Sequence, residues 1–172
     1  MATLYLIRHA EPQIQGVLLG RLDPPLSAAG CRHAEEALSG IEVKVAYCSP
    51  LLRARQTAAF LRGARRVEMA ALREVDFGQW TGRTWAEVEQ EWPALAAQKC
   101  ADWLGVSPPC GESWQEVLDR VKPICQAIRN GETPVAVVAH QGVNAALASL
   151  LDNRNPLEFA QLYGEVIRVE YS

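Results

Sequence analysis

Short apolar runs alternate with amphipathic stretches along this chain of 172 residues, and that alternation is what most constrains its fold. Five runs rich in apolar and β-branched residues predict strands: Ala2–Ile7, Glu42–Cys48, Arg66–Met69, Pro134–Ala139 and Val166–Tyr171. Five stretches between them predict helices: Ser27–Leu38, Ser49 to about Arg62, Thr84–Trp92, Ser113–Arg129 and Gln141–Leu151. Such alternation favours an α/β fold around a largely parallel sheet.

Two stretches refine this prediction. The run Val135–Ala139 is continuously apolar, which is typical of a central strand covered by helices on both faces. The stretch Leu72–Gly111 is less regular and contains four tryptophans, so we expect it to cover one end of the sheet. No linker or repeat divides the chain, whose length suits one domain over residues 1–172.

The charge balance bears on the choice of partners. Lys and Arg together number 17 against 20 Asp and Glu, and the net charge is −3. A nucleic acid or an anionic membrane is therefore not an expected partner. The basic residues are mostly arginine, whose planar fork suits phosphate, although simple compositional bias explains the excess equally well.

The cysteines and the first residues bear on location. Five cysteines are present without a C-x-x-C spacing, which predicts free thiols in a reducing compartment rather than disulfides or a zinc site. The chain passes directly into an apolar strand and lacks the pattern of a secretory signal. No apolar run approaches the length of a membrane span. We therefore expect a cytoplasmic protein.

Two of the three histidines follow predicted buried strands. His9 comes after the first strand, and His140 comes directly after Val135–Ala139. Ligands of open α/β sheets bind at the carboxyl ends of the strands. A single histidine there is usually structural, but two at equivalent positions favour a shared site. The third, His33, lies in a predicted amphipathic helix and is interpreted as a surface residue.

Two arginines and two helix starts point to the same edge of the sheet. Arg8 precedes His9, and Arg53 lies in the first turns of the helix that follows the second strand. Another helix begins at Gln141, just after His140. The free N–H groups of helix N-termini favour anions. Each arginine alone is typical of a surface charge, whereas their convergence indicates a site for one small dianion.

A carboxyl group is the third candidate for chemistry. Glu74 lies among Leu72, Val75, Phe77 and Trp80. Partial burial there would raise its pKa enough for it to donate a proton, but a solvated loop acid fits the residues equally well. The histidines lack the spacing of metal ligands relative to carboxylates or cysteines, so no metal site is predicted.

Five segments carry short motifs in a fixed order along the chain: LIRHAE (6–11), GRLDPPLSAAG (20–30), SPLLRARQTA (49–58), LREVDFGQW (72–80) and AHQG (139–142). Together they resemble the histidine phosphatase superfamily, the phosphoglycerate-mutase-like proteins. The resemblance implies a single-domain, three-layer α/β/α fold with a largely parallel central sheet.

The resemblance also implies a mechanism and the residues that perform it. It implies metal-independent hydrolysis of a small phosphomonoester, without any cofactor, through a phosphohistidine on His9. Glu74 would act as the general acid and base, while Arg8, Arg53 and His140 would bind the phosphoryl oxygens. Substrate contacts are further expected from Gln15, Arg21 and Gln141.

Within the superfamily, the D-F-G-x-W block and a later Gly111-Glu112-Ser113 most resemble the alpha-ribazole phosphatase group. Alpha-ribazole 5'-phosphate, from the cobalamin nucleotide-loop pathway, is therefore the expected substrate. Departures from the family pattern are Ala10, Pro12, Gln15 and Gln141. A phosphoglycerate mutase, a phosphohistidine protein phosphatase and a non-catalytic phospholigand-binding module are the alternatives; oligomeric state is not predicted.

Overall fold

A computed structural model describes residues 2–171 of the protein and contains one five-stranded sheet. Its strands are β1 (Ala2–Arg8), β2 (Val45–Cys48), β3 (Arg65–Glu68), β4 (Val135–Ala139) and β5 (Val166–Tyr171). They are ordered β3-β2-β4-β1-β5. The first four run parallel, whereas β5 pairs antiparallel with β1. This confirms the predicted α/β architecture with a largely parallel sheet.

Within residues 2–171, six α-helices accompany the sheet: α1 (Ala28–Leu38), α2 (Leu52–Ala58), α3 (Trp85–Glu91), α4 (Pro93–Ala101), α5 (Trp114–Asn130) and α6 (Gln141–Asp152). Capping side chains mark the N-termini of several of these helices. The Ser27 hydroxyl accepts the Gly30 N–H at the start of α1. Thr84 and Ser113 form capping boxes at α3 and α5. In a capping box, side chains accept hydrogen bonds from backbone N–H groups that have no acceptor within the helix.

The central strand divides the core into two apolar layers. Val135, Val137 and Ala139 pack in the layer that holds the buried faces of α5 and α6. Ala136 and Val138 pack in the opposite layer with residues of α1 and α2. Because successive strand residues face opposite sides, a continuously apolar strand is what a sheet covered on both faces requires. The three-layer arrangement is confirmed.

Some element boundaries differ from the sequence-based prediction. Strand β2 begins at Val45 rather than Glu42. Helix α2 covers Leu52–Ala58 rather than Ser49 to about Arg62. It begins later because the Ser49 hydroxyl accepts the Leu51 N–H and contacts His140 instead of capping the helix. Helix α3 ends before Pro93, and Pro93 is the first residue of the unpredicted helix α4, a position where the missing N–H of proline has no cost.

The segment 72–111 has a small core of its own. Trp80, Val88 and Ala96 are buried together, and Trp85 and Trp92 pack against them. The segment touches the start of α6, since a Cβ on Gly142 would lie 2.7 Å from Val75 Cγ2. It therefore lies against the carboxyl end of β4, as expected of a covering segment. Within residues 2–171, no helix has the length and apolar character to cross a bilayer.

Candidate active site

The two histidines at the strand ends lie side by side. Strands β1 and β4 are parallel neighbours, and the last residue pair between them is Arg8 with Ala139. His9 and His140 are the next residues after these two strands and therefore lie next to each other. Their ring centroids are 5.1 Å apart, and both side chains are buried. The parallel register thus brings together two residues separated by most of the chain.

The His9 ring has one nitrogen that carries no proton. Its Nδ1 lies 2.8 Å from the Ala10 carbonyl oxygen. Because a carbonyl can only accept, Nδ1 carries the proton and Nε2 has the lone pair. The Arg53 Nε donates to that Nε2 at 3.3 Å. Burial lowers the pKa of His9 to about 3, with Arg53 and Arg8 adding to the effect, so the ring is uncharged at neutral pH.

Arg53 is fully buried in the first turn of α2. Its Nη1 donates to the Leu22 carbonyl at 2.6 Å and its Nη2 to the Gly20 carbonyl at 3.1 Å. The motif that contains residues 20–30 therefore orients this guanidinium. The fork is held rigidly beside His9 before any ligand binds, which reduces the entropy lost on binding an anion.

Arg8 contributes a second guanidinium. Its Nη1 donates to the Gln161 carbonyl at 2.6 Å, and its Cζ lies 4.2 Å above the Tyr163 ring. Its Nε is buried and has no protein partner among the described residues. A buried donor without a partner costs free energy, so a ligand oxygen at this point would satisfy it.

His140 also has an unpartnered nitrogen. Its Nε2 lies 2.8 Å from Ser49 Oγ. The Ser49 hydroxyl accepts the Leu51 N–H, so its own proton is free to be donated to Nε2. When Ser49 donates in this way, the ring proton lies on Nδ1, which is buried without a partner in the described chain. Burial, His9 and Arg53 lower the pKa of His140, in that order, so the ring is uncharged.

Glu74 is a buried carboxyl group of the covering segment. One of its oxygens accepts the Val75 N–H at 2.8 Å. Burial raises the pKa of Glu74, against the lowering effects of that hydrogen bond and of Arg53 and Arg8. The raised pKa favours the protonated form that a general acid requires. Of the two interpretations of Glu74, the structure favours the desolvated carboxyl over the solvated loop acid.

The three expected substrate contacts have different environments. Arg21 donates from Nε to the Glu74 carbonyl at 3.0 Å, so it supports the acid-bearing loop. The Gln141 amide is joined at both ends to the segment between α6 and β5, to the Phe159 carbonyl and the Gln161 N–H. Gln15 is exposed and does not line the cavity beside His9. The structure therefore brings Gln141 to the cavity and leaves Gln15 apart.

A cavity of about 160 Å³ lies beside these groups. Its lining residues are Arg8, His9, Val17, Leu18, Leu19, Gly20, Arg53, Glu74, Phe77, Gln141 and Tyr163. His140 is not among these lining residues, although its ring centroid is 5.1 Å from that of His9. Sequence reasoning missed Tyr163, because no motif or secondary-structure pattern marks the segment between α6 and β5. The one signal in the sequence is the aromatic residue itself, three positions before β5.

The arrangement suits the transfer of a phosphoryl group. Two guanidinium groups can neutralise a dianion, while an uncharged histidine and a protonated carboxyl group can serve as nucleophile and acid. Among residues 2–171, no three His, Cys, Asp or Glu side chains are grouped so as to hold a metal ion. The positive charge present at the site comes from arginine.

Comparison with known proteins identifies the family of the chain. The sequence profile of the histidine phosphatase superfamily (branch 1) matches residues 4–172. The match spans nearly the whole chain and includes all five motif segments. The protein therefore belongs to the histidine phosphatase superfamily. It is an enzyme of the phosphatase and mutase type that this superfamily comprises.

Individual relatives carry different activities in their names. The chain is 32% identical over 152 residues to a 6-phosphofructo-2-kinase/fructose-2,6-bisphosphatase of Caenorhabditis elegans, covering 82% of this chain but 32% of that protein. It is 31% identical over 158 residues to the adenosylcobalamin/alpha-ribazole phosphatase of Escherichia coli, covering 86% and 78%. A mycobacterial glucosyl-3-phosphoglycerate phosphatase superposes with a TM-score of 0.86 at 26% identity, covering 97% and 89%. The chain thus spans about a third of the first relative and most of the other two.

Proposed function

We propose that the protein hydrolyses phosphomonoesters without a metal ion, through a phosphohistidine on His9. The observation that carries this proposal is the state of the His9 ring. Its Nδ1 is bonded to the Ala10 carbonyl, and its unprotonated Nε2 accepts a hydrogen bond from the Arg53 guanidinium in a cavity that Arg8 and Glu74 also line. A nucleophile with a lone pair thus lies next to the charges that would bind its electrophile.

The first step forms the phosphoenzyme. His9 Nε2 attacks phosphorus in line, so that an N–P bond forms as the bond to the leaving oxygen breaks. Protonated Glu74 gives its proton to that oxygen, which leaves as an alcohol. Arg8 and Arg53 balance the charge on the three equatorial oxygens, and His140 donates a hydrogen bond to one of them.

The second step releases phosphate. Glu74, now ionised, takes a proton from a water molecule that attacks phosphorus, and the P–N bond breaks. The His9 ring regains its lone pair, Glu74 is protonated again, and the cycle closes. Splitting one hydrolysis into two displacements lets the same carboxyl group serve as acid and then as base.

Alpha-ribazole 5'-phosphate is the substrate we propose for this reaction. The support comes from the motif resemblance to the alpha-ribazole phosphatase group and from the Escherichia coli relative of that name. Small phosphomonoesters are the proposed partners of a chain with a net charge of −3, which does not favour nucleic acid or an anionic membrane. A cytoplasmic location is part of the same proposal.

The test is a phosphatase screen in metal-free buffer with alpha-ribazole 5'-phosphate, phosphoglycerates and nucleotides as substrates. We expect the highest kcat/KM for alpha-ribazole 5'-phosphate, and an acid-labile phosphoryl label on the wild-type chain that His9→Ala lacks. Hydrolysis without any label on the wild-type chain would contradict the phosphohistidine. Equal slow rates on every substrate would contradict the named substrate.

The alternatives give other results in the same screen. A mutase would move the phosphoryl group to a second hydroxyl of a phosphoglycerate instead of releasing it as phosphate. A phosphohistidine protein phosphatase would remove phosphate from a phosphohistidine peptide in preference to small esters. A non-catalytic module would bind these ligands without turnover.

A further inference from the structure

A second cavity adjoins the one beside His9. Its volume is about 190 Å³, and it shares Glu74, Phe77 and Gln141 with the first. Its other lining residues include Lys99, Trp103, Glu112, Trp114, Val117 and Ala145. The two cavities therefore meet at the carboxyl group that would protonate the leaving oxygen.

The walls of this second cavity are mainly aromatic and aliphatic. Phe77, Trp103 and Trp114 contribute rings, while Val117 and Ala145 of α5 and α6 contribute aliphatic surface. Trp103 is among the few large apolar residues left accessible, with 44% of its surface exposed. Binding of an apolar group against these walls would remove both surfaces from water.

The wall that contains Trp103 is held in place. The Lys99 ammonium donates to the Trp103 and Val106 carbonyls, and its Nζ lies 4.9 Å from the centroid of the Trp103 ring. Trp103 also packs on Trp85, with 5.7 Å between ring centroids. The aromatic surface is therefore preorganised, which lowers the entropic cost of binding.

The charges around this cavity already have partners. Glu112 forms a two-pronged ion pair with Arg120, at 2.6 Å and 2.9 Å. The Lys99 ammonium donates to two carbonyls, and both ends of the Gln141 amide are bonded. Lys99 is the single cation among these lining residues. A leaving group with a carboxylate would have to compete with those two carbonyls for it, and burying an unpaired charge is costly.

We propose that this second cavity binds the organic part of the substrate, and that the preferred leaving group carries an uncharged, flat ring. The proposal rests on the phosphohistidine mechanism above. In-line attack by His9 puts the leaving oxygen on the far side of phosphorus, next to Glu74, and the leaving group continues beyond that carboxyl group. A cavity of about 150 Å³ holds a benzene ring, so a single ring fits the space.

Matched alkyl phosphates test this without altering the chemistry of the leaving oxygen. Propyl phosphate and 3-phenylpropyl phosphate both release a primary alcohol of similar acidity, and they differ only in the ring. We expect kcat/KM to be at least about tenfold higher for the phenylpropyl ester, the scale on which apolar pockets discriminate. Equal values for the two esters would overturn the proposal.

Substitutions in the cavity wall test whether the preference for the phenylpropyl ester arises there. Trp103→Ala removes one wall, and Ala145→Leu fills the space from α6. Each is expected to reduce the ratio of the two kcat/KM values by at least about fivefold. Leu157→Ala is the matched control, because Leu157 is exposed and does not line the cavity; its ratio should equal that of the wild type. If both cavity variants keep the wild-type ratio, the ring binds elsewhere and the proposal is wrong.

A binding measurement separates this proposal from the proposed reaction. Butylphosphonate and 4-phenylbutylphosphonate replace the ester oxygen by carbon and cannot be hydrolysed. Calorimetry on the wild-type protein should show at least about tenfold tighter binding of the phenyl compound, even if hydrolysis is never observed. Turnover of both esters with equal binding of both phosphonates would leave the reaction intact and overturn the second cavity as the leaving-group site.

Discussion

His9 and His140 are uncharged in a site whose other groups would bind a dianion, and burial is the main reason. Burial and the neighbouring arginines lower the pKa of both rings. A depressed histidine pKa means that the unfolded chain binds more protons than the folded one between the two pKa values. Stability then rises with pH across that window and falls as the pH is lowered.

This linkage is testable at His9. Its pKa is about 3 in the folded protein and about 6.5 in an unfolded chain. Between these values we expect the free energy of unfolding of His9→Gln to vary less steeply with pH than that of the wild type, by about 1.4 kcal/mol per pH unit. Urea denaturation from pH 4 to about 6 measures it. His33→Gln, at an exposed histidine of α1, is the control; the same loss of slope in both variants would contradict the explanation.

Glu74 can be tested by varying the leaving group. The proton matters for an alkoxide but much less for 4-nitrophenolate, which is stable as an anion. We expect Glu74→Gln to reduce kcat/KM on propyl phosphate by about 10²–10⁴-fold and on 4-nitrophenyl phosphate much less. Since kcat/KM reports the steps up to formation of the phosphoenzyme, the later use of Glu74 as a base does not enter. Glu89→Gln, at an exposed position of α3, is the control, and an equal loss on both substrates would count against the acid role.

The pH dependence of the same reaction follows from the raised pKa of Glu74. Burial keeps this carboxyl group protonated to a higher pH than an exposed glutamate. The acid form is lost as the pH rises through that raised pKa, so wild-type kcat/KM on propyl phosphate should fall on the alkaline side. Rate profiles should show this limb in the wild type and not in Glu74→Gln. A limb that persists in the variant would assign the titration to another group.

At the scale of elements, the covering segment depends on one close backbone contact. Gly78 has φ of +51°, and a Cβ there would lie 2.2 Å from the Pro109 carbonyl oxygen. The segment also carries Glu74 and Phe77 to the cavity beside His9. The close approach of residues 78 and 109 thus holds the loop that carries Glu74 against the last residues of the covering segment.

Gly78→Ala is therefore expected to lower the free energy of unfolding by more than the left-handed conformation of residue 78 alone would. Gly63 has φ of +80°, and a Cβ there would have no neighbouring atom within 4 Å, which makes Gly63→Ala a matched control. A left-handed conformation costs an alanine about 1–2 kcal/mol, and we expect that loss for Gly63→Ala and a larger one for Gly78→Ala. Denaturant unfolding gives both values. Equal losses would show that the contact with Pro109 relaxes freely.

At the scale of the whole molecule, arginine side chains supply the positive charge that magnesium supplies in other phosphoryl-transfer enzymes. Arg53 is oriented by carbonyls of Gly20 and Leu22, and Arg8 by the Gln161 carbonyl. We therefore expect the phosphatase rate to be unchanged in excess EDTA. The measurement is the rate with and without chelator on the same preparation. A loss of rate that added Mg²⁺ or Zn²⁺ restores would contradict the metal-free mechanism.

Much of the fold could be predicted because its signals are local. The apolar run Val135–Ala139 and the caps at Ser27 and Thr84 act within a few residues of themselves. The two strand ends that carry His9 and His140 followed from the rule that parallel strands share their carboxyl edge. Less could be predicted where one side chain had two possible partners, as at Ser49, which bonds His140 instead of capping a helix.

The sequence by itself determined the layers, the order of most elements, the family and the residues of its motifs, since periodicity and motif spacing are properties of the chain. Only the tertiary structure decided which nitrogen of His9 carries the proton, that burial raises the pKa of Glu74, and that Tyr163 lines the cavity. It also decided that Trp103, Trp114 and Ala145 form one cavity beside Glu74. These features arise from residues distant along the chain, and their contacts and desolvation exist only once the chain has folded.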